Sequence, residues 1–298
     1  MLTHLHPAPR PPRRVVILGA RGFIAGALAA ALRADGIEIY PVSSQEIDLS
    51  DATAAGRLSA LLRADDAVVM TAAVTPDKGK DAATLMRNLR MGEQVARALA
   101  ARPCGHFIYL SSDAVYDWRQ PLVSEATPPS PTDLYSLMHL AREHLLAAAA
   151  QAAQVPFCVL RPCAVYGAGD THNGYGPNRF LRAALADGVI RLFGAGEETR
   201  DHVAIRDVAA LLLLALAHRS TGLLNVVSGV SISFGELARR VAVLGPRPVA
   251  VESLPRSPGP VTHRRFDPTA LYRSFPLHRP TRLEIGLQET WRELTIGR

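Results

Sequence analysis

Arg14-Val-Val-Ile-Leu18-Gly19-Ala20-Arg21-Gly22-Phe23-Ile24-Ala25-Gly26 decides the fold. The residues up to Leu18 form a short apolar run rich in β-branched side chains, the pattern of a strand buried on both faces. An alanine- and leucine-rich stretch to about Ala34 follows at once and reads as a helix. Gly19 permits a tight turn, Gly22 lets backbone approach a pyrophosphate, and the small Ala25 and Gly26 allow close helix–strand packing. The helix N-terminus then offers free N–H groups to phosphate oxygens. The expectation is an α/β protein, a Rossmann-type doubly wound parallel sheet, with Gly19, Gly22, Phe23 and Ile24 against a dinucleotide.

A second stretch places reactive groups at readable spacings. His106-Phe-Ile-Tyr-Leu110-Ser111-Ser112-Asp113 is an apolar, β-rich run that ends in hydroxyls. The C-terminal edge of such a strand is where open α/β sheets keep their ligands. After a loop rich in proline and serine, Thr132 or Asp133 can cap a helix in which Leu134, Met138, Ala141 and Leu145 recur at helical spacing. Tyr135 and His139 then lie one turn apart on one face. A phenol, with a free pKa of about 10, needs a neighbouring positive charge to work as an acid or base near neutrality. His139 is the candidate neighbour.

On these residues the chain resembles the extended short-chain dehydrogenase/reductases, the NAD-dependent epimerase/dehydratase family, which act mainly on nucleotide sugars. The resemblance spans about residues 14–295. It implies that Ser112 is the active-site hydroxyl and Tyr135 the catalytic acid/base, with Ser111 and Arg161 on the cofactor side of the site. His139 stands where the family has a lysine that holds the nicotinamide ribose and lowers the tyrosine pKa. A neutral, shorter histidine implies a working but slower enzyme, with His139→Lys raising activity at neutral pH.

The same resemblance assigns the remaining residues. Ile37–Val42 is the second strand and Ala67–Met70 the fourth, followed by the small-residue turn Thr71-Ala72-Ala73 against the cofactor. Asp48 and Leu49 would bracket the adenine. At Ser43-Ser44 the acid expected of an NAD enzyme is absent, and Arg21 could hold a 2′-phosphate, which favours NADP over NAD. Asp113, Asn178, Phe193 and Arg200 are the expected substrate residues. A second diphosphate arginine is Arg256 or Arg264, with Arg256 the one assigned. Ser112-Asp113-Ala114 lacks the glutamate of the family's 4,6-dehydratases, which leaves 4-keto reduction or 4-epimerisation. Relatives often dimerise through the helices matching Ala82–Ala101 and Asp133–Ala152, so a homodimer is expected.

The expected organisation is a disordered tail over residues 1–13, a dinucleotide-binding domain over 14–166 with part of 195–230 returning to it, and a smaller C-terminal α/β substrate-binding domain over 167–298. Charge and composition narrow the partners. The net charge of +6 collects at Arg10, Arg13 and Arg14 and in residues 246–298, which hold nine arginines against five acids. That would equally suit a diphosphate substrate, which the resemblance implies is a nucleotide-diphosphate sugar, and no aromatic–basic interleaving suggests nucleic acid. Cys104, Cys158 and Cys163 are odd in number and unpaired in spacing, which fits a reduced, cytoplasmic protein. The longest apolar run, Val208–Ala217, is too short to span a bilayer. No metal site is expected. Two other readings stay open: a cofactor-binding, non-catalytic homologue with a degenerate Tyr-x-x-x-His site, and a reductase of a non-sugar ketone.

Overall fold

The computed structural model describes residues 2–296. In chain order the first elements are strand β1 (Thr3–His4), β2 (Arg14–Leu18), helix α1 (Phe23–Ala34), β3 (Glu38–Val42), α2 (Ala54–Leu61), β4 (Ala67–Met70), α3 (Ala82–Ala101) and β5 (His106–Leu110). There follow β6 (Leu122–Val123), α4 (Leu134–Ala152), β7 (Phe157–Pro162), β8 (Ala164–Tyr166), α5 (Pro177–Ala186), β9 (Val189–Phe193), β10 (Thr199–Ala204) and α6 (Ile205–Ala217). The chain ends through β11 (Ser220–Val226), β12 (Ser231–Ser233), α7 (Phe234–Ala242), β13 (Ala250–Leu254), β14 (Arg265–Phe266), α8 (Thr269–Ser274) and α9 (Leu283–Ile296).

The large sheet runs β1-β11-β7-β5-β4-β2-β3, all parallel except β1 at the edge. β2 shows why it is doubly wound. Val15 and Ile17 pack with Leu28 and Leu32 of α1 and Leu211 and Leu212 of α6, while Val16 and Leu18 pack with Leu58 of α2, Val95 of α3 and Leu146 of α4. A period-two strand covered on both faces must be apolar throughout, and β2 is fully buried. The strand order reverses between β2 and β4, so loops from adjacent strands diverge there and open a crevice at their carboxyl ends.

Two sequence expectations need correction. No strand forms between Val42 and Ala67 among the described residues, so Ala67–Met70 is the third parallel strand and not the fourth. The stretch after β3 instead closes on itself through Ser43 and Asp48 and enters α2 directly. The N-terminal tail is ordered in part: Thr3 and His4 pair with Thr221 and Ser220, and the His4 imidazole bonds Ser220 Oγ and Ser274 O, both at 2.8 Å. Proline and arginine content suggested disorder, but two backbone bridges and one buried-edge histidine suffice to seat this strand. Met1, Gly297 and Arg298 lie outside the described residues.

Smaller sheets β12-β10-β8 and β13-β9, with α5, α7 and α9, form a second core around Phe180, Ile190, Phe234, Leu237 and Leu287. It sits beyond the carboxyl ends of β5 and β7, where β8 leaves the large sheet. Between the two cores lies a cleft of about 570 Å³. No helix among the described residues is long and apolar enough to cross a membrane. The three cysteines are free and buried.

Candidate active site

One side of the cleft is built from three places around the large sheet. The first is the turn after β2. Gly19 holds φ +91, and a Cβ there would lie 2.7 Å from the backbone of Ala72, so only glycine lets the two strand ends meet. Helix α1 begins at Gly22 with no side-chain cap, and Gly22, Phe23 and Ile24 line the cleft. The N–H groups of its first turn are thus left for an anionic ligand. Ala73, from the turn after β4, lines the same wall.

The second place is the end of β5, where Ser111, Ser112 and Asp113 all border the cleft. Ser112 Oγ accepts from Ala114 N at 3.1 Å, which leaves its own proton for a ligand. Ser111 differs: its hydroxyl donates to Glu143 Oε1 at 2.5 Å, and Glu143 also pairs with Arg161. Arg161 is buried, donates to Tyr116 Oη at 2.8 Å and does not line the cleft. Both residues thus brace β5 against α4 and β7, and Arg161 is a framework residue, contrary to its assignment to the cofactor.

The third place is the start of α4. Asp133 and Ser136 form a reciprocal capping box, each side chain bonding the other's backbone N–H. This fixes the first turn, and Tyr135 and His139 line the cleft on one face. Their rings meet edge-on with centroids 4.7 Å apart. His139 Nδ1 lies 2.8 Å from Tyr109 Oη of β5, and His139 Nε2 has no partner. Burial, with a contribution from Arg142, pushes the His139 pKa down to about 3. The imidazole is therefore neutral and does not serve as the positive neighbour of Tyr135. Burial also raises the Tyr135 pKa above that of a free phenol, helped by Tyr109 and Asp113 and opposed by Arg142. Tyr135 rests as the protonated acid.

The far end of the cleft carries positive charge. Arg200 and Arg264 line it, 5.3 and 4.0 Å from the ring of Trp118. Arg264 is fully buried, with Nη1 3.3 Å from Asp113 Oδ2 and Nη2 donating to Tyr116 O at 3.0 Å. Arg256, the residue assigned from sequence, lies outside the cleft wall, donating to Pro260 O and facing Glu198, whereas Arg264 lines the cleft. Phe193 is half-exposed and packs on Tyr175 outside the cleft wall. Asn178 lines the cleft, yet its amide is spent on Gly167 N and Asp170 Oδ2 at 3.0 and 2.8 Å, so it shapes the loop. His202, also in the wall, is buried with both ring nitrogens unpartnered and its pKa pushed down to about 3 by burial.

Around the ends of β2 and β3, outside the cleft wall, the residues expected beside the adenine find local partners. Asp48 accepts from Ser50 and faces Arg87, and Leu49 is in the core. Ala72 packs on Gly19, and Arg21 is exposed. Ser43 is buried, and both its N–H and its hydroxyl donate to the Glu46 carboxylate. A carboxylate therefore stands at the end of β3 after all, three residues beyond the position searched in sequence.

Sequence reasoning missed Tyr109, Arg142 and Glu46. Helical spacing could have found Arg142, seven residues after Tyr135, and strand alternation could have found Tyr109, which shares a sheet face with Phe107 against α4.

The model of the NAD dependent epimerase/dehydratase family matches residues 15–227. A dTDP-L-rhamnose 4-epimerase of Burkholderia thailandensis is 36% identical over 127 residues, 41% of this chain and 35% of that protein. A dTDP-4-dehydro-6-deoxy-D-allose reductase of Streptomyces bikiniensis is 34% identical over 141 residues, 45% of this chain and 42% of that protein. The chain thus matches less than half the length of these curated relatives. Among solved structures, a UDP-glucose 4-epimerase of Thermotoga maritima with UDP-glucose superposes with a TM-score of 0.83 at 20% identity, over 95% of this chain and 99% of that one, a likeness of fold. With the family model covering more than half its length, the chain belongs to the NAD dependent epimerase/dehydratase family.

Proposed function

We propose that the protein is a nicotinamide-dependent oxidoreductase of a nucleotide-linked sugar, reducing a ketone at sugar C4. The observation that carries this reading is the convergence of Ser112 and Tyr135 on one cleft wall, with an uncapped helix N-terminus at one end and Arg200 and Arg264 at the other. The α1 N-terminus, Gly22 and Ala73 would hold the dinucleotide, and Arg200 with Arg264 the substrate diphosphate. Bound nicotinamide supplies or accepts the hydride. Tyr135 Oη gives its proton to the carbonyl oxygen as hydride reaches the carbon, and the Ser112 hydroxyl donates a hydrogen bond to the same oxygen. A tyrosine that rests protonated suits this direction.

A 4-epimerisation is the second reading, favoured by the likeness to the rhamnose 4-epimerase. It uses the same groups twice, first removing and then returning the proton and hydride. Dehydration is disfavoured because Ala114 stands where its base would be. For the cofactor we favour NAD, against the expectation from sequence, because Glu46 would repel a 2′-phosphate at the end of β3. A homodimer belongs to the same reading, since α3 and α4 expose Met86, Leu137 and Leu145.

The test is incubation with NADH or NADPH and a panel of dTDP- and UDP-linked 4-keto sugars, following nicotinamide absorbance. A parallel panel of dTDP- and UDP-hexoses with NAD, read by proton NMR, detects epimerisation. Turnover of neither panel by a folded, cofactor-binding protein would leave the non-catalytic reading standing.

A further inference from the structure

Four arginines are buried among the described residues, and three of them face a carboxylate. Arg14 pairs with Asp66, Arg161 with Glu143 and Arg264 with Asp113. Arg142 has only neutral partners. Its Nε donates to Asn88 O and its Nη1 to Ala72 O, both at 2.8 Å, and its Nη2 to Asn88 Oδ1 at 3.3 Å. A guanidinium cannot shed its charge in a protein, and a buried charge without a counter-ion is costly to keep. α3 makes room for it, since a Cβ at Gly92 would lie 3.1 Å from Arg142 Cγ. On α4 it stands three residues after His139 and seven after Tyr135, on the same helix face.

The guanidinium also faces the Tyr109 hydroxyl, whose oxygen is 2.8 Å from His139 Nδ1. Arginine offers no acceptor, so the phenol proton points to Nδ1. The single proton of the neutral imidazole is then on Nε2, the atom that has no partner in the protein. Charge, hydroxyl and imidazole thus form an oriented chain that ends in a buried, unpartnered donor on a residue that lines the cleft.

We propose that Arg142 is the positioning residue that supplies the positive charge of the acid/base site, acting through Tyr109 to hold His139 as an Nε2–H donor beside Tyr135. No proton moves along this chain. It fixes a dipole and a charge, and so takes over at a distance what a lysine at position 139 would do directly. The groups that face Tyr135 are His139 and Arg142 on its own helix, Tyr109 from β5, Asp113 from the turn after it and Asp133 at the helix cap. Asp113 and Asp133 oppose Arg142, and Arg264 offsets Asp113. The proposal rests on Tyr135 being the acid/base.

Two measurements test it. The first needs no substrate: long-range proton–nitrogen NMR of histidine-labelled protein at neutral pH. His139 is expected as the pure Nε2–H tautomer, becoming a tautomer mixture in Tyr109→Phe. A Nδ1–H or doubly protonated His139 in the parent protein would overturn the proposal. The second is turnover against pH with whichever sugar the panel identifies. Arg142→Met should lower kcat at neutral pH by up to about tenfold, the full effect of one pKa unit on the acid strength of the tyrosine. It should also move the ionisation assigned to Tyr135 upward and leave NADH affinity within about twofold, with Arg142→Lys restoring most of the loss. If Arg142→Met does not fold, Tyr109→Phe carries the same kinetic expectation. An unchanged profile in these variants, with Tyr135→Phe inactive, overturns the proposal alone. Full activity in Tyr135→Phe overturns the acid/base reading and the proposal with it.

Discussion

Tyr109 Oη and His139 Nδ1 lie 2.8 Å apart in the protein interior, and that contact decides what a lysine at position 139 would do. Lysine has no acceptor for the Tyr109 proton, and its ammonium would join Arg142, which has no directly paired carboxylate. His139→Lys is therefore expected to lower the melting temperature and the activity, the reverse of what the sequence suggests. The unpaired phenol alone would cost about 1–3 kcal/mol. His139→Lys combined with Arg142→Met should recover stability relative to the sum of the two single changes. Thermal unfolding of the four proteins checks this, and a lysine variant more stable and faster than its parent would refute it.

Glu46 makes a separate prediction about the cofactor. Hydrogen bonds from Ser43 hold its carboxyl below the usual range, so it is ionised at neutral pH. A 2′-phosphate at the end of β3 would meet that charge, while ribose hydroxyls could donate to it. Glu46→Gln should improve NADPH binding relative to NADH by about tenfold, the scale of one unit of selective interaction. Arg21→Ala should weaken NADPH more than NADH. Fluorescence titration with both nucleotides measures the ratio, and a wild-type preference for NADPH that survives in Glu46→Gln would count against the assignment.

Much of the site was legible because it rests on local rules. A strand, Gly19 and an alanine-rich helix announce the first turn, and the spacing from Asp133 to Tyr135 and His139 is the spacing of one helix face. What sequence could not give was where side chains go once elements pack. Ser111 and Arg161 sit at the strand edge a ligand would use, but they are captured by Glu143, one helix away. Arg256 and Arg264 are only eight residues apart, and the difference between them is made by Asp113 and Tyr116, about 150 residues earlier in the chain. Glu46 escaped notice because a turn folds it back onto Ser43, a contact that no periodicity announces.

The three arginines near the far end of the cleft should separate cleanly. Removing Arg264 leaves Asp113, part-buried at the cleft edge, and Tyr116 O without their partner, so Arg264→Met is expected to lower the melting temperature clearly. Arg200 is half-buried and bonds mainly to Thr199 O and to Thr262. Arg200→Ala should therefore raise KM for the nucleotide sugar much more than it lowers stability. Arg256→Ala should leave KM within about twofold of the parent, since its contacts lie outside the cleft. A large KM effect at Arg256 would return it to the substrate site.

Three buried histidines set the response to acid. Burial pushes His106 down to about 4 and both His139 and His202 to about 3, against an unfolded value near 6.5. Between the two values the unfolded chain binds protons that the folded one refuses, so stability rises with pH across that window. It is therefore at its full value above about pH 6.5 and is lost as pH falls toward the folded values. From pH 7 to pH 5 each histidine should cost on the order of 2 kcal/mol. His202 is the informative case, because neither of its ring nitrogens has a partner. His202→Phe should flatten the pH dependence measured by urea unfolding without lowering stability at pH 7. If the variant loses acid stability as steeply as its parent, His202 is not held neutral in the folded protein.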